Sequence, residues 1–157
     1  MLTKYLLTLL ISMVPIIELR GAIPIGTGMG VKWQTAVAIS MIGNMIPVPF
    51  IFFFARRFLE WGKDKPVIGK FFSWCLEKGH KGGEKLKEKA GSKGMFWALL
   101  LFVGIPLPGT GAWTGTLAAS MLDLDFKKSV TAVMCGVVLA AAIITAVTAL
   151  GFNVFTK

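Results

Sequence analysis

Catalysis has few side chains to draw on in this chain. Its 157 residues include one histidine, one tyrosine, two cysteines and eight acidic residues. No Ser-His-Asp grouping occurs, no run of metal ligands at a known spacing, and no phosphate loop ending in Lys-Ser or Lys-Thr. These absences argue against an enzyme, and no cofactor or metal site is expected. Cys135 falls in an apolar run and reads as a small packing residue, while Cys75 lies in a basic loop. No disulfide is expected between them. His80 sits in a glycine-rich stretch and reads as a solvated loop residue.

Charge is also missing where a soluble protein needs it. Three stretches lack Asp, Glu, Lys and Arg altogether: Trp33 to Ala55, Met95 to Leu122 and Ser129 to Thr156. Each can cross a hydrocarbon core, which takes about 20 apolar residues. A shorter run, Tyr5 to Ile17, resumes at Gly21 after Glu18 and Arg20. Hydrophobic residues make up 55% of the chain, too many for a soluble domain of this length. The expectation is one membrane domain. Lys4 followed by an apolar run imitates a secretory leader, but no small-x-small cleavage site follows, so the segment is expected to stay.

The net charge of +9 is concentrated. Eleven of the 17 lysines and arginines fall between Arg56 and Lys93; the rest are Lys4, Arg20, Lys32, Lys127, Lys128 and Lys157. In so apolar a chain this marks the cytoplasmic side of a cell membrane rather than a nucleic-acid surface. Val67, Ile68, Phe71, Phe72, Cys75 and Leu76 share one helical face, as in a helix lying at the interface. Gly79 to Gly83 is expected to break it, and Glu84 to Lys89 to form a solvated turn of helix.

Two halves emerge around this linker. Aligning Pro15 with Pro108 places Trp33 on Phe126 and Gly43 on Gly136. Each half runs in one order: apolar arm, Pro/Gly break, second arm, polar corner, long apolar span. Half two breaks at Pro106-Leu107-Pro108-Gly109-Thr110-Gly111; half one breaks at Pro15 and again around Pro24 to Gly28. Proline removes amide donors and glycine frees the backbone, so no straight helix runs through. An arm such as Met95 to Ile105 covers about 16 Å, half a bilayer. The fold expected is all-α and integral to the membrane: two inverted repeats, each a re-entrant helical hairpin plus one transmembrane helix, joined by the basic amphipathic linker. The alternative is one kinked span per broken segment. Boundaries fall at 1–58, 59–93 and 94–157. Arg56–Lys93 and the Asp123–Lys128 corner then face the cytoplasm, with Lys4, Lys32 and Lys157 outside. So small a bundle leaves half-helices exposed, and a homodimer is expected.

Glu18 and Arg20 are the only ionisable pair inside an apolar segment. Charges there are costly and face a cavity or a partner. Glu18 can take up and release a proton, and the fork of Arg20 suits phosphate or carboxylate. The plainer reading is a salt bridge within the hairpin. Half two offers Gly109, Thr110, Gly111, Trp113 and Thr114 at the start of a half-helix, where successive amides favour an anion. Gly111 and Gly115 also have the spacing of close helix packing. Asn44, beside Pro47 and Pro49, is a further candidate for the cavity wall.

Glu18-Leu19-Arg20-Gly21-Ala22-Ile23-Pro24 and Pro106-Leu107-Pro108-Gly109-Thr110-Gly111-Ala112-Trp113 together resemble the small multi-drug export proteins, a branch of the DedA superfamily. The resemblance implies two opposed re-entrant hairpins, lipid handling and proton coupling through a membrane carboxylate. The leading expectation is a transporter or flippase for an amphipathic anion, a phospholipid or polyprenyl phosphate, with Glu18 coupling movement to protons. A proton-coupled exporter of lipophilic cations and a non-transporting membrane scaffold are the alternatives. Membrane lipids, the substrate, protons and a second copy are the expected partners.

Overall fold

In the computed structural model the described residues, 1–155, form helices and turns with no strand. Side chains are described for all of these except 75, 76, 78, 79, 82, 83, 85–87, 89 and 151–155. The expectations for the Cys75 and Leu76 side chains and for Lys157 therefore lie outside the described residues.

Helix α1 (Leu2–Met13) ends at Val14, which is extended (φ −74°, ψ 129°) as a residue before proline must be. After a turn at Pro15, α2 (Glu18–Gly28) runs back along α1. Lys4 Nζ donates to the Met29 carbonyl at 2.6 Å, so the start of α1 lies beside the end of α2. The pair is a helical hairpin with its tip at residues 14–17. Next come α3 (Trp33–Met45) and α4 (Pro47–Gly62), then α5 (Gly69–Gly104), α6 (Ala112–Met121) and α7 (Phe126–Phe155). The end of α5 and α6 make a second hairpin, with Gly115 against Leu99, Phe102 and Val103. Lys128 Nζ donates to Ser92 Oγ at 2.8 Å, which closes the base of that hairpin.

Among the described residues, two helices are long and apolar enough to cross a membrane. Trp33–Gly62 has 30 residues and mean hydropathy 2.0; Phe126–Leu150 has 25 and mean hydropathy 2.5. Only 22% and 33% of their apolar windows are buried, so most of that surface faces outward instead of filling a core. Pro47 does not end the first of them, because it opens α4 and the preceding Ile46 stays helical (φ −58°, ψ −46°). A small core lies where both hairpins meet these helices. Leu19 and Ile23 come from α2, Val48 from α4, Val103 from α5, Ala112 and Ala119 from α6, and Val133 and Val137 from α7.

Two breaks fall elsewhere than the residue types indicate. Pro24 lies inside α2, which continues to Gly28. One missing donor leaves one carbonyl unpaired, and packing on α1 and α3 outweighs that loss. The stretch 79–83 is helical too, with His80 on exposed helix rather than in a loop. Glycine lowers helix propensity by about 1 kcal/mol without forbidding a helix. The interruption sits at Gly91, whose φ of 60° and ψ of −177° no helix contains. The linker helix begins at Gly69, leaving Val67 and Ile68 in the preceding turn.

Gly43 and Gly136, paired by the repeat alignment, make the same kind of contact. A Cβ on Gly43 would stand 2.7 Å from the Leu9 carbonyl, and one on Gly136 would stand 2.7 Å from the Leu100 carbonyl. Each lets a hairpin's first arm touch a long helix through its backbone. Gly43→Ala should therefore destabilise the protein by about 1–3 kcal/mol. Gly28, whose Cβ would meet nothing within 4 Å, should tolerate alanine. Thermal melts of both variants in one detergent check this, and equal midpoints would refute the packing role of Gly43.

Candidate functional site

The two hairpin tips meet, and each satisfies what the other lacks. Helix α5 ends at Gly104, and Pro106 and Pro108 bring no amide hydrogens to the carbonyls behind them. Arg20 reaches the neighbouring carbonyls of Val103, Ile105 and Leu107. Its Nη1 donates to Leu107 O at 2.8 Å; its Nη2 lies 3.3 Å from Val103 O, 3.3 Å from Ile105 O and 2.9 Å from Thr110 Oγ1. A cation at a helix C-terminus also faces the negative end of the helix dipole. The Thr110 hydroxyl lies 2.9 Å from Ile105 O and 2.8 Å from Leu107 O, tightening the same turn.

Glu18 does the complementary work at the start of α6. Its carboxylate is 3% exposed, and Oε1 accepts from the Trp113 amide at 3.0 Å. The Ala112 amide faces it as well. The first amides of a helix have no partner within the helix, and a carboxylate there acts as a cap. This cap comes from a different helix, 95 residues away. Gly111 makes it possible. A Cβ there would collide with both carboxylate oxygens, and its φ of 144° suits glycine alone. Glu18 itself has φ 50°, and the neighbouring Ile16 has φ 77°. Non-glycine residues seldom adopt such angles, and strain of this kind collects at functional sites. A third tie runs from Trp113 Nε1 to the Met13 carbonyl at 3.1 Å, capping the end of α1.

Of the expected site residues, Glu18, Arg20, Thr110, Gly111 and Trp113 come together in this junction. Gly109 (φ 80°) makes the turn and would meet nothing with a Cβ. Thr114 turns its hydroxyl to the Gly111 carbonyl at 3.4 Å. Glu18 and Arg20 form no ion pair with each other among the described residues; each is held by the opposite hairpin. Asn44 stands apart. It is 1% exposed, and neither side-chain amide atom has a hydrogen-bond partner, nor do the hydroxyls of Ser40 and Thr116.

Beside the junction lies a groove of about 830 Å³. Pro15, Trp113, Thr114 and Leu117 form one end and side. Helix α4 forms the opposite wall with Ile51, Phe54, Phe58 and Trp61, and Phe72 of α5 closes the far end. Nearly all of its surface is apolar, with Arg57 as its one charged wall residue. Residue-type reasoning did not anticipate this wall. The signal was present: Ile51, Phe54, Ala55, Phe58 and Trp61 recur at helical spacing on one face. A smaller crevice of about 430 Å³ lies among Ile23, Thr27, Trp33, Val37 and Thr145, and no charged residue lines it.

The polar corners group as the tips do. Arg56 pairs with Glu60 and with Asp123, so the end of α4 and the 123–128 corner lie on one side of the molecule. Lys4 and Met29 mark the opposite base.

No curated protein and no solved structure matches the chain. Residues 18–143 match the family model described as "Putative small multi-drug export protein", a stretch that holds the Glu18 cap, the Arg20 cluster and every groove residue but Pro15, and the chain belongs to that family.

Proposed function

We propose that the protein is a membrane exporter that moves an amphipathic anion across the cell membrane, a phospholipid or polyprenyl phosphate, by opening and closing the junction between two re-entrant hairpins. The observation that carries this is a pair of charges, buried Glu18 and half-buried Arg20, used as caps across the junction. Such a junction is bistable: broken, it leaves a carboxylate, a guanidinium and several backbone groups seeking partners. An anionic headgroup satisfies Arg20, and a proton on Glu18 weakens its charge-assisted bond to the Trp113 amide. Proton uptake and headgroup binding would then favour the same open state.

Several contacts support the inverted arrangement and the wider DedA placement. Each hairpin closes at its own base, the two tips meet, and Gly43 and Gly136 play one role in both halves. The Arg56–Asp123 pair agrees with a cytoplasmic linker and corner. The hairpin arms leave apolar residues such as Leu6, Leu10, Leu101 and Phe102 uncovered, which supports a homodimer; native mass in a lipid-like detergent reads the stoichiometry.

The family description favours a second reading, export of lipophilic cationic drugs with Glu18 exchanging protons for drug. Arg20 nearby and Arg57 in the groove repel a cation. Proteoliposomes separate the readings. Headgroup-labelled anionic phospholipid should flip faster with the protein than without it. Glu18→Gln and Arg20→Lys should slow this at least 10-fold, and unchanged rates in both would end the lipid reading. Resistance of expressing cells to quaternary ammonium compounds, lost in Glu18→Gln, would establish the cation reading instead. No movement of either substrate would leave a scaffold.

A further inference from the structure

The groove between α4 and α6 has a feature the junction lacks, a cation without a partner. Arg56 is taken by Glu60 and Asp123, but its neighbour Arg57 has no hydrogen-bond or ion-pair partner among the described residues. Its side chain lines the groove together with Trp61 and Phe72. A second cation is close: Lys65 Nζ sits 4.5 Å above the Trp61 ring. The opposite end is walled by Pro15, Trp113 and Leu117, all apolar in contact. The groove also opens sideways, since Phe54, Phe58 and Trp61 are each more than half exposed.

We infer that this groove is a binding site for one anionic phospholipid, its phosphate on Arg57 and Lys65 and an acyl chain lying along Phe58, Phe54 and Leu117 toward Trp113. Charge complementarity decides the occupant. A neutral chain would be held by the walls alone, whereas a phosphate at Arg57 adds a charge-assisted and often bidentate contact. Among the described residues no acidic side chain lines the groove to compete for the arginine or to attract a cation. The aromatic stack fits the boundary where chain meets headgroup: Phe58 lies 5.9 Å from Trp61 and 5.6 Å from Phe72. Trp113 then has two duties, its backbone holding Glu18 and its ring ending the groove. The chain terminus comes to rest against the junction proposed to open. The site deepens the transport reading and rests on it for any movement of the bound lipid, but binding stands by itself.

Native mass spectrometry of the full-length chain, with phosphatidylglycerol and phosphatidylcholine of identical chains in competition, tests it. The wild type should retain phosphatidylglycerol at least 5-fold over phosphatidylcholine. Arg57→Ala should remove that preference, Arg57→Lys should keep most of it, and Leu117→Trp, which fills the groove, should reduce retention of both lipids. Preference unchanged in Arg57→Ala, or retention unchanged in Leu117→Trp, overturns the proposal. So does loss of dimer in Leu117→Trp with lipid retention intact, which would give the groove to a second copy. Selective binding without flipping would defeat the transport reading and leave the site; flipping without selective binding would do the reverse.

Discussion

Arg20→Ala should be the most destabilising single change in the protein. It removes one guanidinium that serves three carbonyls and the Thr110 hydroxyl at the end of α5. A charged hydrogen bond contributes about 1.5–3 kcal/mol, while Ile105 O and Leu107 O keep the Leu107 and Thr110 amides as donors. A loss on the order of 2–4 kcal/mol is expected, since the site is half-buried and the charged bonds lost are several. Arg20→Lys should recover less than half, because one ammonium cannot reach four acceptors arranged around a planar fork. Thermal unfolding in detergent, followed by helical signal and aggregation, reads the order wild type, lysine, alanine. Equal midpoints for lysine and arginine would mean that charge alone matters and that the fork has no role.

Gly111→Ala should come close behind. The position has φ 144° and ψ −173°, a region nearly exclusive to glycine, where other residues incur about 1–3 kcal/mol of strain. The added methyl group would also strike the Glu18 carboxylate and lift it from the α6 amides. These two effects can be separated. Shortening Glu18 to alanine makes room for the methyl group but leaves the backbone strain. In a double-mutant cycle Gly111→Ala should cost less in the Glu18→Ala background than in the wild type, by at least about 1 kcal/mol. Strict additivity would show that the carboxylate is not where Gly111 needs room.

Much of this architecture was readable from residue types, and the unread part has a consistent cause. Proline and glycine act on their own backbone, so the tips at Pro15 and Pro106–Gly111 could be placed without neighbours. Charge is expensive wherever water is absent, so Glu18 and Arg20 stood out alone. Their partners could not be named, because a backbone carbonyl or amide has no letter in a sequence. Arg20 looked free to hold a substrate and is held by the opposite hairpin. The open α6 amides looked ready for an external anion and hold Glu18. The same limit explains Pro24 and Gly79 to Gly83, where surrounding contacts carry the helix through residues that tend to stop it. The groove was missed for a different reason. Its wall residues lie on one helical face, and only the packing of α6 and Phe72 beside α4 turns that face into a concavity.

Crosswise capping also bears on how the chain comes to be assembled. The N-terminal half leaves the ribosome first, and its two charges have no partners until Val103 to Trp113 has been made. For that interval the first hairpin holds a carboxylate and a guanidinium that it cannot satisfy itself. Its early position in the membrane is therefore provisional, and the later half decides whether it is kept.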